Sequence, residues 1–192
     1  MKINLNLRLL MICLLAVLFG FSVVYAEQPE QSPMDERDVL VLYFSATGTT
    51  RGVAEKIAAL TKADIFEIVP AQPYTAADLN WNDRNSRTSI ETDDPSCRPE
   101  IDGEPADLEG YSTIFIGYPI WWGDIPRIMS TFVESYDFEE ITMIPFCTSG
   151  GSGVGQSDKH LEEQAGSGNW LKSSSVLVAE PTAEVSTNIN NL

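Results

Sequence analysis

Ser45-Ala46-Thr47-Gly48-Thr49-Thr50 places four hydroxyls and one glycine within six residues. Hydroxyls that can donate hydrogen bonds, beside a glycine that lets the main chain approach closely, suit an anion. The apolar run Val39 to Phe44 precedes this loop, and Val53, Ile57 and Leu60 follow it at helical spacing. The loop therefore joins a strand covered on both faces to an amphipathic helix. A helix N-terminus carries unpaired N–H groups and about half a positive charge, which draws an anion further. The loop contains no lysine, against the Gly-Lys-Ser/Thr ending of a nucleotide triphosphatase loop, and suits a monophosphate bound by neutral donors. Capping is the plainer use of Ser and Thr here, but a cap needs one hydroxyl rather than four.

Two further loops have complementary compositions. Pro119-Ile120-Trp121-Trp122-Gly123-Asp124 offers adjacent indoles as a flat apolar wall, and Thr148-Ser149-Gly150-Gly151-Ser152-Gly153 offers N–H donors without side-chain bulk. Neighbouring side chains in an extended loop point in different directions, so one tryptophan is expected against a ring and the other packed inward. The glycine-rich loop fits neither the GxGxxG nor the GxSxG pattern in register. A phosphate cradle, a ring wall and an amide-rich loop together describe a pocket for a planar conjugated ring with one phosphate. Flavin mononucleotide, FMN, has that form.

The elements that must position these loops follow from periodicity. After the first strand and helix, Asp64 to Val69, Ser112 to Tyr118, Ile141 to Cys147 and Ser173 to Val178 read as four more strands. Helices are expected over Pro126 to Tyr136 and Ser157 to Ala165, with a final short one from Pro181. Alternating strands and helices imply a doubly wound parallel sheet, whose ligands bind beyond the carboxyl ends of the strands. The roughly 40-residue connection Pro70 to Tyr111 is too long for a plain loop, and Thr75 to Ile90 reads as a helix within it. Pro145 inside a central strand suggests a bulge.

Of 192 residues, the first 26 have the form of an export segment: Lys2 and Arg8, an apolar run from Leu9 to Val24, and Ala26 before Glu27. The alternative is an uncleaved anchor. Residues 27–37 read as a polar linker and 38–192 as one domain. Cleavage after Ala26 leaves 166 residues and, with Lys2 and Arg8 gone, 10 basic against 28 acidic residues, a net charge of −18. Such a surface repels nucleic acid and favours basic partners, with membrane contact only through an uncleaved N-terminal segment. One histidine, His160, and no CxxC exclude a structural zinc site. His160 reads as a solvated surface residue, and Cys97 and Cys147 as free thiols, with a disulfide between them the alternative in an exported protein.

SATGTT resembles the phosphate loop of the flavodoxin family, and GYPIWWGDIP with FCTSGGSGVG resembles the flavin loops of its short-chain members. The resemblance runs from Asp38 to the C-terminus. It implies five parallel strands in order 2-1-3-4-5, with Ser45, Thr47, Gly48, Thr49 and Thr50 as phosphate ligands. By the same resemblance Pro119, Ile120, Trp121, Trp122 and Gly123 line the flavin, and Thr148, Ser149, Gly150 and Gly151 contact its pyrimidine edge. An export segment departs from the usual cytoplasmic flavodoxin.

The leading expectation is an FMN-binding electron-transfer protein, exported to the periplasm or beyond, with a basic redox partner protein and no catalytic acid or base. One alternative is an FMN-dependent NAD(P)H:quinone oxidoreductase using Tyr74, Trp81, Arg84 and Arg87. The other is a flavodoxin-like binding protein without cofactor.

Overall fold

The computed structural model describes residues 38–171. The expected export segment, the linker, the strand Ser173 to Val178 and the helix from Pro181 lie outside the described residues.

Val39–Tyr43 forms β1, every residue of it buried. Its even positions Leu40 and Leu42, with Phe44, join one core, whereas Val39, Val41 and Tyr43 join another on the opposite face. A strand whose alternate residues enter two cores must lie inside a sheet covered on both sides. α1, Thr49–Thr61, covers one face with Val53, Ala54 and Ile57. Leu60, expected on that buried stripe, is 52% exposed. α3, Arg127–Val133, and α4, Ser157–Ala165, cover the other face through Ile128, Met129, Phe132, Val133 and Leu161.

The sheet is completed by β2, Asp64–Glu67, β5, Thr113–Pro119, β6, Thr142–Thr148, and β7, Asn169–Trp170. Its order is β2-β1-β5-β6-β7, and each neighbouring pair is parallel. This is the doubly wound, flavodoxin-like arrangement. The fifth position is held by Asn169–Trp170.

Three local expectations are corrected. Pro145 makes no bulge, for the register from Thr113↔Thr142 to Pro119↔Thr148 is unbroken and includes Ile116↔Pro145. Residues 141, 143 and 145 turn the same main-chain edge, and Ile141 and Met143 offer theirs to Asn169 and Leu171. The missing N–H of Pro145 therefore faces the side where the described pairing with β7 has ended at Met143.

The expected strand Asp64 to Val69 divides after Glu67. Val69–Pro70, β3, leaves the main sheet and pairs antiparallel with β4, Ile101–Asp102. Thr75 to Ile90 is not one helix. Asn80 and Asp83 side chains accept from the N–H groups of Asn82 and Asn85, so these polar residues build turns instead. The helix in this connection is α2, Arg87–Asp93, capped by the Ser86 hydroxyl accepting from the Ser89 N–H.

Candidate functional site

Because β1, β5 and β6 run parallel, the loops that follow them emerge on one edge. Between those loops lies a cavity of about 590 Å³. Its wall takes Ala46, Thr47 and Thr50 from the first loop, Pro119 to Trp122 from the second, and Gly150 and Ser152 from the third. Leu79, Trp81 and Thr88 of the long connection close the remaining side. The site is thus at the edge where doubly wound sheets bind ligands.

At the first loop the structure decides what the hydroxyls do. Gly48 is the N-cap of α1, with φ of 88°, and no side chain caps the helix. Glycine takes this left-handed conformation without strain. Ser45 Oγ accepts from the Gly48 N–H at 3.1 Å, which ties the loop to itself. Thr47 and Thr49 are exposed and their hydroxyls lie 3.3 Å apart. Thr50 is buried, and its Oγ1 lies 2.8 Å from Thr148 Oγ1. Arg51, the cation next to the loop, is held by Glu67 at 2.6 Å, so the donors facing the cavity are neutral.

The second loop is a tight turn. Trp121 and Asp124 exchange main-chain hydrogen bonds of 3.0 and 2.9 Å, and the Ile120 N–H donates to the Thr148 carbonyl at 2.8 Å. The two indoles have different surroundings, although both line the cavity. Trp121 meets the rings of Tyr74 and Phe44 edge-on, with centroids 5.2 and 5.7 Å away. Trp122 is 49% exposed and has φ of 49°. A left-handed tryptophan costs about 1 to 2 kcal/mol, strain of the kind found at ligand sites. Behind this turn the Gln156 N–H donates to the Gly123 carbonyl at 2.9 Å, and Gly155 approaches so closely that a Cβ there would lie 2.0 Å from that oxygen.

In the third loop Ser149 Oγ accepts from the Gly151 N–H at 3.2 Å and lies 2.9 Å from Ser152 Oγ. Ser149 and Thr148 are buried, while Gly150 and Gly151 are exposed. Cys147, one residue earlier, is buried and its thiol is pushed up to about 11 by desolvation. Among the described residues, Cys97 and Cys147 are free thiols.

Of the residues singled out by sequence, Thr47, Thr50, Trp81, Pro119, Ile120, Trp121, Trp122 and Gly150 line the cavity. Ser45, Gly48, Thr49, Gly123, Thr148, Ser149 and Gly151 belong to the same three loops but shape them from outside its wall. Ala46 and Ser152 were not chosen, although each lies within a chosen loop. Leu79 and Thr88 carried no sequence signal, because the chain folds back to the site only through the turns of the connection. Arg87 is committed elsewhere: it bonds Glu91 at 2.6 Å and the Gln72 carbonyl at 2.7 Å, and lies 4.0 Å above the Tyr74 ring. His160 is not simply solvated, since its Nδ1 lies 2.9 Å from Asp124 Oδ1.

An anion cradle of neutral donors thus abuts an aromatic slot, a shape for a molecule with a planar body and one anionic end. Two crystal structures of candidate flavoproteins, from Bacteroides eggerthii and Bacteroides uniformis, are 42% and 43% identical to the chain. They cover 80% of it and 96% and 97% of their own lengths, with TM-scores of 0.73 and 0.74. A Lactobacillus acidophilus flavoprotein crystallised in complex with FMN is 25% identical, with a TM-score of 0.57, over 78% of this chain and 97% of its own. No curated protein matches. The family model for flavodoxin matches residues 38–192, and the chain belongs to the flavodoxin family.

Proposed function

We propose that the cavity binds FMN and that the protein transfers electrons outside the cytoplasm. The observation that carries this reading is the meeting, in one cavity, of the uncapped N-terminus of α1 with the Trp121–Trp122 wall. Thr47 and Thr50 would hold the phosphate with the first N–H groups of α1, Thr49 would support Thr47 from the rim, and the indoles would flank the ring. The FMN in the Lactobacillus acidophilus relative supports the choice of cofactor. When bound, the isoalloxazine supplies the redox chemistry. The chain's task is to bind it, orient it and limit water at one face.

The charge balance favours a carrier over a reductase. A mature net charge of −18 attracts a basic protein partner and disfavours an anionic nicotinamide nucleotide. The export reading rests on Lys2, Arg8, the run from Leu9 to Val24 and Ala26. One observation favours a second reading, an NAD(P)H:quinone oxidoreductase: Leu79, Trp81 and Thr88 add a wall to the cavity beyond the three loops. Against it, Arg87 is already bound by Glu91 and Gln72, leaving the exposed Arg84 as the other cation of that segment.

Anaerobic stopped-flow mixing tests the choice. The carrier reading predicts slow direct oxidation of NADPH and fast electron exchange with a basic redox protein, slowing steeply with salt. Rapid steady-state quinone reduction by NADPH, lost when Arg84 and Arg87 become Ala, would establish the reductase instead.

A further inference from the structure

Arg127, at the start of α3, is only 7% exposed and does not line the cavity, yet three different groups receive its guanidinium. Nη1 lies 3.5 Å from Asp124 Oδ2, Nε donates to the Glu91 carbonyl at 3.2 Å, and Nη2 donates to the Thr92 carbonyl at 2.8 Å. The first group ends the tryptophan loop. The other two belong to α2, the helix of the long connection.

From each side a chain of contacts leads back to one residue. On the loop side, Asp124 exchanges two main-chain hydrogen bonds with Trp121. On the connection side, the Glu91 carboxylate accepts from Tyr74 Oη at 2.7 Å, and the Tyr74 ring meets the Trp121 ring. Trp121, Asp124, Arg127, Glu91 and Tyr74 thus form a closed circuit around a cavity-lining indole. Asp124 is steadied within it by the Ile125 N–H at 2.8 Å and by His160. The same helix α2 carries Thr88, whose N–H and hydroxyl both donate to the Asp78 carbonyl and hold Leu79 in place beside it.

We propose that Arg127 and Asp124 are positioning residues of the flavin site. The pair fixes the span between the Trp121–Trp122 loop and the wall of Leu79, Trp81 and Thr88, and so fixes the angle of Trp121 toward the ring. A guanidinium suits the task because its planar fork serves a carboxylate and two carbonyls at once, which an ammonium cannot do with fixed geometry. The inference rests on the flavin reading above.

The test compares Asp124→Asn and Arg127→Lys with Thr131→Ala. Thr131 Oγ1 donates to the Pro99 carbonyl at 2.9 Å and, at 3.4 Å, to the Arg127 main-chain carbonyl, so its loss loosens α3 from the connection without touching the Arg127 guanidinium or the Asp124 carboxylate. The readouts are near-ultraviolet circular dichroism of the apoprotein, affinity for riboflavin, quenching of flavin emission, and the midpoint potential. Asp124→Asn and Arg127→Lys should each reduce the Trp signal, weaken riboflavin and FMN by the same factor of roughly 3 to 30, and shift the potential. Thr131→Ala should lower thermal stability and leave all four readouts at parent values.

Parent values in folded Asp124→Asn and Arg127→Lys, or equal losses in Thr131→Ala, would overturn the proposal. His160→Gln serves if either circuit variant fails to fold: it removes one support of Asp124 and should show the same pattern in weaker form, whereas parent values in it would likewise overturn the proposal. A parent protein that binds no flavin would reject the cofactor reading itself, a result that parent binding with unchanged variants cannot be confused with.

Discussion

Thr50 at the first turn of α1 and Thr148 at the end of β6 share a buried hydrogen bond of 2.8 Å between their Oγ1 atoms, joining loops 98 residues apart in sequence. Two hydroxyls carry two protons and only one lies between them. With Thr148 as the donor, the Thr50 proton is left for a ligand in the cavity that Thr50 lines.

Replacing Thr47 and Thr50 together with Ala should therefore weaken FMN by about a hundredfold or more, since each hydrogen bond to a charged group contributes about 1.5 to 3 kcal/mol. Riboflavin, which lacks the phosphate, should lose far less. A fluorescence titration with both ligands checks this, and equal losses for the two would place the phosphate elsewhere.

Trp122 combines exposure with a left-handed backbone. Trp122→Gly removes the conformational cost along with the indole, so stability should hold within about 1 kcal/mol. Flavin affinity should fall by about 1 to 3 kcal/mol, the usual worth of stacking on an aromatic. Trp121→Ala should behave differently, losing about 2 kcal/mol or more of stability because its contacts to Tyr74 and Phe44 go with it. Thermal melts and titrations of both variants separate the two roles.

Gly155→Ala should damage the site without removing any donor. The added methyl would meet the Gly123 carbonyl, and φ of 61° already disfavours alanine. A loss of about 1 to 3 kcal/mol is expected, with weaker riboflavin binding because the tryptophan loop must shift. Gly48→Ala, where a Cβ meets nothing within 4 Å, should cost only the left-handed penalty of about 1 kcal/mol.

Cys147 sets an alkaline limit. Its thiol titrates at about 11 in the fold against an ordinary value of 9.0, because burial disfavours the thiolate. The raised value means that its contribution is fully present below pH 9 and is lost as pH rises toward 11, by about 2 to 3 kcal/mol in all. Cys147→Val should flatten that part of the stability–pH curve. Denaturant melts from pH 8 to 11 measure it, and an unchanged slope would assign the alkaline loss to other groups.

The strand–loop–helix around Gly48 was legible because its apolar run, hydroxyl loop and helical stripe are all local in sequence. That the sheet is parallel followed from the alternation of strands and helices, whereas its order came from the resemblance to flavodoxins. Thr75 to Ile90 misled because its residues can be counted at helical spacing, while Asn80 and Asp83 bond their own main chain, a competition that periodicity does not register. Pro145 misled in the opposite sense. Its cost depends on which edge the missing N–H faces, and strand neighbours are a tertiary fact. Leu79 and Thr88 reach the cavity through a fold-back that no local pattern encodes, and the same holds for Arg127 between Asp124 and α2.

The central claim is that this cavity takes a flavin by its single phosphate and its ring. Isothermal titration of the apoprotein with FMN, riboflavin and FAD tests it most directly. The account predicts one FMN per chain, riboflavin weaker by at least tenfold for the lost phosphate contacts, and FAD weaker than FMN because the cradle has donors for one terminal phosphate and nothing for a second. FMN and riboflavin binding with equal affinity, or no flavin bound at all, would contradict it.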